Sequence, residues 1–94
     1  MVVAYCLIKA SPDKEFRIFA VIKRREEVKE VALTYGTFDL IAKIEVKSSE
    51  ELNDFIFNIL RKLPEVQETM TLLASKTATR VGIGQKITSS PKRS

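Results

Sequence analysis

A chain of 94 residues that is 45% hydrophobic and 30% charged is sized for one soluble globular domain, near the lower limit for a self-sufficient core. One cysteine and no histidine exclude an internal disulfide framework, the usual zinc sites and His-dependent nucleophilic catalysis, so no metal and no cofactor are expected. The net charge of +4 is unevenly placed, because residues 1–75 hold eleven Lys and Arg against twelve Asp and Glu while residues 76–94 hold five bases and no acid.

Val2 to Lys9 reads as a strand with both alternate sets apolar, Val3, Tyr5 and Leu7 against Val2, Ala4, Cys6 and Ile8. That is the pattern of a strand covered on both faces. Nothing at its start has the form of a signal peptide, and no apolar run reaches the roughly 20 residues of a membrane span. The expected location is the cytoplasm, with Cys6 a buried, reduced thiol and no membrane contact. Ser11-Pro12-Asp13 breaks the strand. Pro12 suits a first helical turn, and Ser11 or Asp13 can cap it. The helix is predicted from about Pro12 to Arg25, with Phe16, Phe19, Ala20 and Lys23 on one stripe and Ile18, Val21 and Ile22 widening it. Its cationic end, Lys23-Arg24-Arg25, suits the negative helix pole.

Val28 to Tyr35 is a second strand. Tyr35-Gly36-Thr37-Phe38 is predicted as a type II′ hairpin turn, with Gly36 at the position that needs positive φ. Phe38 to Lys47 is a third strand, with Phe38, Leu40, Ala42, Ile44 and Val46 on one face and Asp39, Ile41, Lys43, Glu45 and Lys47 on the other. Ser48 and Glu51 form a capping box at the head of a second helix. That helix runs to about Lys62, carries the stripe Leu52, Phe55, Ile56, Ile59, Leu60 and Leu63, and stops at Pro64. Phe57 falls off the stripe; it reads either as a lone exposed aromatic or as a contact that joins dimers into a ring. Val66 to Ala74 is a fourth strand, and Thr79 to Thr88 is a candidate edge strand within a basic tail spanning 76–94.

The order strand, helix, strand, strand, helix, strand with right-handed crossovers gives an α+β, ferredoxin-like βαββαβ sandwich. Its four-stranded antiparallel sheet has the order 4-1-3-2, with both helices on one face. The other face keeps large apolar residues from the first three strands. Soluble monomers avoid such patches, so a second copy is expected to pack sheet to sheet in an isologous pair, the dimeric α/β barrel arrangement.

Tyr35-Gly36-Thr37-Phe38-Asp39-Leu40, a helix, Leu63-Pro64-Glu65-Val66 and then Glu68-Thr69-Met70-Thr71-Leu72-Leu73 together resemble the effector-binding domain of the leucine-responsive regulator/asparagine regulator (Lrp/AsnC) family. It is also called the regulation of amino acid metabolism domain. The resemblance covers about residues 2 to 75 and includes a Gly-x-aromatic-Asp turn and a Leu-Pro-x-Val bend before a Thr-rich last strand. It implies a non-catalytic sensing and oligomerisation module of a transcription-regulator family. Dimers would assemble into octameric or decameric rings and hold an amino acid or related metabolite between them. Where the family shows a threonine before the turn glycine, this chain has Tyr35. Because the first strand starts at residue 2, the chain is read as the form without a helix-turn-helix domain. It is not expected to read operator DNA directly, and its expected partners are itself and full-length family regulators.

The residues that would make such a site are Tyr35, Gly36, Thr37, Phe38, Asp39, Thr69 and Thr71. The turn can aim backbone N–H groups at a carboxylate. Asp39 can take an ammonium, Tyr35 and Phe38 can wall a side chain, and Thr69 or Thr71 can donate hydroxyl hydrogen bonds. Singly, each has a plainer reading: Gly36 as a turn glycine, Asp39 as a solvated acid or a partner of Lys43, Phe38 as core, and the threonines as ordinary strand residues. An alternative function is a dimeric α/β barrel enzyme of oxygenase or isomerase type using Tyr5, Lys43 and Glu45, though nothing in the sequence places these convergently. Nucleic-acid binding lacks the aromatic strand motif of RNA-recognition modules. Absent histidine and tryptophan, few amides and dense charge suit a thermophile.

Overall fold

The computed structural model describes residues 1–78 and residue 80. The candidate strand at Thr79 to Thr88 therefore lies, Arg80 apart, outside the described residues. The elements are β1 (Val2–Ala10), α1 (Glu15–Ile22), β2 (Val28–Leu33), β3 (Leu40–Val46), α2 (Ser49–Phe55), which continues as a π-helical turn (Ile56–Leu60), and β4 (Val66–Leu73). The sheet order is β2-β3-β1-β4, and every pairing is antiparallel. This is the expected 4-1-3-2 order read from the other edge, in an α+β, ferredoxin-like sandwich. Among the described residues no helix is long and apolar enough to cross a membrane.

Strand alternation builds the core. Ala4, Cys6, Ile8 and Ala10 of β1 and Leu40, Ala42, Ile44 and Val46 of β3 are buried on one face, in a register that sets Cys6 opposite Ala42 and Ile8 opposite Leu40. The helices lower Ile18, Ile22, Leu52, Phe55, Ile56 and Leu60 onto that floor. The α2 stripe is as predicted, with Ile59 and Leu63 packed at its margin. The Ser48 hydroxyl accepts the Glu51 N–H at 3.2 Å, while the Glu51 carboxylate accepts from Lys47 N–H at 3.1 Å, one residue before the cap. The π-turn is closed by Arg61 N–H donating to Ile56 carbonyl at 2.8 Å.

The first helix departs from expectation. It starts at Glu15, with Lys14 as its N-cap and no side-chain cap. Pro12 sits in the preceding turn, where Asp13 takes φ +65°. Ser11 ties that turn down instead, its N–H donating to Glu65 carbonyl and its carbonyl accepting from Lys14 N–H. The buried stripe is Ile18 and Ile22 with Phe19 beside them, whereas Phe16 is 66% exposed and Ala20 and Val21 face outward. Residues 15–22 are apolar around most of the helix, so period alone leaves the phase open, and the entry turn sets it.

The reversal after β2 is also wider than a two-residue hairpin. Thr34 N–H donates to Asp39 carbonyl at 2.8 Å, and the Thr34 hydroxyl donates to Phe38 carbonyl at 2.8 Å. Residues 35–38 thus form the loop, and β3 begins at Leu40 rather than Phe38. Gly36 has the expected positive φ, at +123°.

Burial pushes the Cys6 thiol above its ordinary range, partly offset by its contact with the Thr71 hydroxyl at 3.6 Å. The raised group keeps its proton in the folded state, so its stabilising effect is intact below the ordinary thiol range, about pH 8.5, and is lost as pH rises through the folded-state value. Cys6 is expected to resist a thiol-reactive chromophore at neutral pH and to react at once in denaturant, as absorbance would show. Fast native labelling would contradict its burial.

Candidate functional site

Two regions carry exposed chemistry that the core does not use: the loop between β2 and β3, and the open face of the sheet. In the loop, Tyr35 is fully exposed, and a side-chain carbon built on Gly36 would meet nothing within 4 Å. The backbone there is open to an approaching molecule. Thr37 is exposed, and its carbonyl accepts from the Lys9 ammonium at 3.3 Å. Phe38 and Asp39 are half-buried.

Asp39 is held from three directions. Its N–H donates to Ile8 carbonyl at 2.9 Å, its carbonyl takes the Thr34 N–H, and its Oδ2 accepts the Ala10 N–H at 2.8 Å. The carboxylate therefore stitches the loop to the end of β1. Its other oxygen takes no hydrogen bond among the described residues, and the ion pairs there do not include it. Lys43, a possible partner for Asp39, pairs instead with Glu45 at 3.7 Å. A carboxylate fixed through one oxygen, beside an open glycine, is a preorganised acceptor.

The five loop residues Tyr35, Gly36, Thr37, Phe38 and Asp39 come together, but the two threonines lie elsewhere in the chain. Thr69 stands opposite Ile8, and Thr71 opposite Cys6. β1 separates them from β3, a distance of roughly 10 Å across two strand spacings. Thr71 is engaged with Cys6, and Thr69 borders a cavity of about 290 Å³ with Arg61, Val66, Gln67 and Glu68. Sequence reasoning missed Lys9 and the Ala10 N–H as loop neighbours. The only trace of them in the sequence is their place at the end of a strand destined for the sheet centre.

On the open face the registers give two cross-strand rows: Leu72, Tyr5, Lys43 and Glu30, then Met70, Leu7, Ile41 and Ala32. Met70 and Leu72 are 45% and 52% exposed. In the first row Tyr5 and Lys43 stand side by side and line a shallow hollow with Glu30, Ala32 and Ile41. Behind the sheet, Phe57 is half exposed, with the Arg61 guanidinium 5.2 Å from its ring centre.

The fold has known relatives. Residues 3–81 match the family described as the Lrp/AsnC ligand binding domain. The HTH-type transcriptional regulator FL11 of Pyrococcus abyssi is 36% identical over 74 residues, 79% of this chain and 48% of that protein. The chain thus spans about half the length of the curated relatives it matches. Among solved structures, FFRP-DM1 is 38% identical with a TM-score of 0.77, over 79% of this chain and 99% of that one. TTHA0845 from Thermus thermophilus is 31% identical with a TM-score of 0.79, over 85% and 100% of the two chains.

Proposed function

The chain belongs to the Lrp/AsnC ligand-binding domain family, and from that premise we propose that it is a non-catalytic sensing and assembly module for amino acids in the cytoplasm. The observation that carries the reading is Asp39, pinned through one oxygen beside an open glycine turn. An amino acid's ammonium meets the other Asp39 oxygen, and its carboxylate meets loop N–H groups. Tyr35 and Phe38 flank the side chain, with Tyr35 in place of a smaller residue shaping what fits. A zwitterion must have both charges met away from bulk water, and the edge of a subunit contact offers that shelter. Thr69, on a separate cavity, and Thr71 reach such a ligand only through another copy in a ring.

The assembly rests on the open sheet face. Tyr5, Leu7, Ile41, Met70 and Leu72 gather there beside β2, an apolar field that a second copy covers sheet to sheet. Further joining into octameric or decameric rings, and mixed assembly with full-length family regulators through the same surfaces, would let bound ligand tune those regulators.

A thermal-shift screen of the full chain against the twenty amino acids at millimolar concentration tests the sensing role. Binding to the native state stabilises it by about 2.7 kcal/mol at a hundredfold excess over Kd, which is several degrees for a domain of this size. One or a few amino acids are expected to give that shift. A flat response to all twenty would contradict the reading.

A further inference from the structure

We propose that the outer edge of β4 and the end of the second helix form a docking groove for a partner protein, one that receives an extended segment with an acidic and a basic residue side by side. The groove lies on the helix side of the sheet, because Val66 and Thr69 stand opposite Ala10 and Ile8, whose side chains belong to the core beneath the helices. The face that a second copy covers is on the other side of the sheet, and the loop between β2 and β3 lies beyond β1.

The backbone supplies half of the recognition. β4 is an edge strand, paired with β1 on one side and with nothing on the other among the described residues. The bond from Ala74 N–H to Val3 carbonyl fixes the phase of the ladder. In register with it, Glu68, Met70 and Leu72 turn their N–H and C=O groups toward β1, while Thr69, Thr71 and Leu73 turn theirs outward. Edges are ordinarily blunted by charge, proline or irregular register. The opposite edge shows two of these, for β2 has six residues with Lys29 beside Glu30 and a register shift between Val28 and Glu30. β4 runs eight residues with one charged side chain, Glu68, and no proline. Its own register shift falls at the groove, where it leaves Gln67 without a partner. An edge of this kind is a template for an added strand.

The side chains select the segment. The groove, about 290 Å³, is lined by Arg61, Val66, Gln67, Glu68 and Thr69. The Arg61 guanidinium lies 5.2 Å from the centre of the Phe57 ring and forms no ion pair among the described residues. Braced against a ring, its edge donors are set for a carboxylate. Glu68 is equally unpaired there, since Lys9, opposite it, donates to Thr37 carbonyl instead. Glu68 shares the open side of the strand with Met70, whereas Arg61 ends the helical layer, so the two charges flank an incoming strand on opposite faces. Successive strand residues alternate faces. An acid facing Arg61 and a base facing Glu68 are therefore neighbours in sequence. A phosphate or a purely acidic ligand would satisfy Arg61 and be repelled by Glu68.

The test is amide hydrogen exchange by NMR on the full chain, with the blocked hexapeptide Thr-Val-Glu-Lys-Val-Thr as probe. The Thr69 and Thr71 amides are expected to exchange quickly in the protein alone and to slow roughly tenfold or more at millimolar peptide. Arg61→Gln, at an exposed position, should weaken binding roughly tenfold, and so should glutamine in place of the peptide's glutamate. The two changes together should weaken it no further than either alone. A fully N-methylated peptide should not bind, because it cannot pair with the edge. Amides already slow in the protein alone would show the edge covered by another segment or another copy and would overturn the proposal. So would exchange unchanged by the peptide, or binding that survives N-methylation or Arg61→Gln.

Discussion

Leu7→Glu is expected to yield a folded protein that sediments as a single chain, while the unsubstituted protein sediments as a multiple of it. Leu7 lies mid-row on the open face, between Met70 and Ile41 and clear of the core beneath. In the separate chain a glutamate there remains partly hydrated, and the buried set Ala4, Cys6, Ile8 and Ala10 on the opposite side of β1 is untouched. In a sheet-to-sheet pair the two-fold places the carboxylate twice in a water-poor seam without a cation. An uncompensated buried charge costs about 3–5 kcal/mol, and the two-fold imposes that cost twice. Circular dichroism checks the fold, and sedimentation checks the mass. Phe16→Glu, on the exposed outer side of α1, is the control and should leave the pair intact. Equal effects from the two substitutions would show that the open face is not the seam.

Asp39→Asn and Asp39→Ala should separate the two roles of one side chain. Asparagine retains an oxygen for the Ala10 N–H, so the loop stays stitched to β1 and the urea midpoint changes little. It removes the charge, and a hydrogen bond to a charged group contributes about 1.5–3 kcal/mol. Amino-acid affinity at the loop should therefore fall roughly tenfold to a hundredfold. Alanine loses both functions and leaves the N–H of the buried Ala10 without its partner, costing a further 1–3 kcal/mol of stability. Calorimetry reads the first effect and urea unfolding the second. Unchanged affinity in Asp39→Asn would remove Asp39 from the binding site, and unchanged stability in Asp39→Ala would contradict the stitching role.

The order of elements and of strands was legible because the periods are clean where they matter. Leu40 to Val46 alternates without a break, and Leu52 to Leu63 keeps the helical stripe, so the topology follows from elements and breakers alone. The phase of α1 was not legible, since Phe16, Ile18, Phe19, Ala20, Val21 and Ile22 leave hardly a polar side to orient it. Gly36 marked the reversal and its positive φ. The extent of the loop depended on the bond from Thr34 to Asp39, for which local propensity gives no signal.

The candidate site divides in the same way. Its loop residues are contiguous, so the sequence displays them together. The anchoring of Asp39 depends on Ala10, 29 positions away, and is created only when β1 enters the sheet beside β3. Thr71 looked available for a ligand because its contact with Cys6 spans 65 positions. Tyr5, Lys43 and Glu30 become neighbours only when three strands pair, which no period announces. Local pattern fixes which residues share a face; pairing and register decide which of them meet.

The account turns on the apolar field that two helices leave uncovered, and the most direct measurement is mass in solution by light scattering over a range of micromolar concentrations. It predicts a species of twice the chain mass or an even multiple of it, persisting on dilution. A mass equal to one chain throughout that range would contradict it.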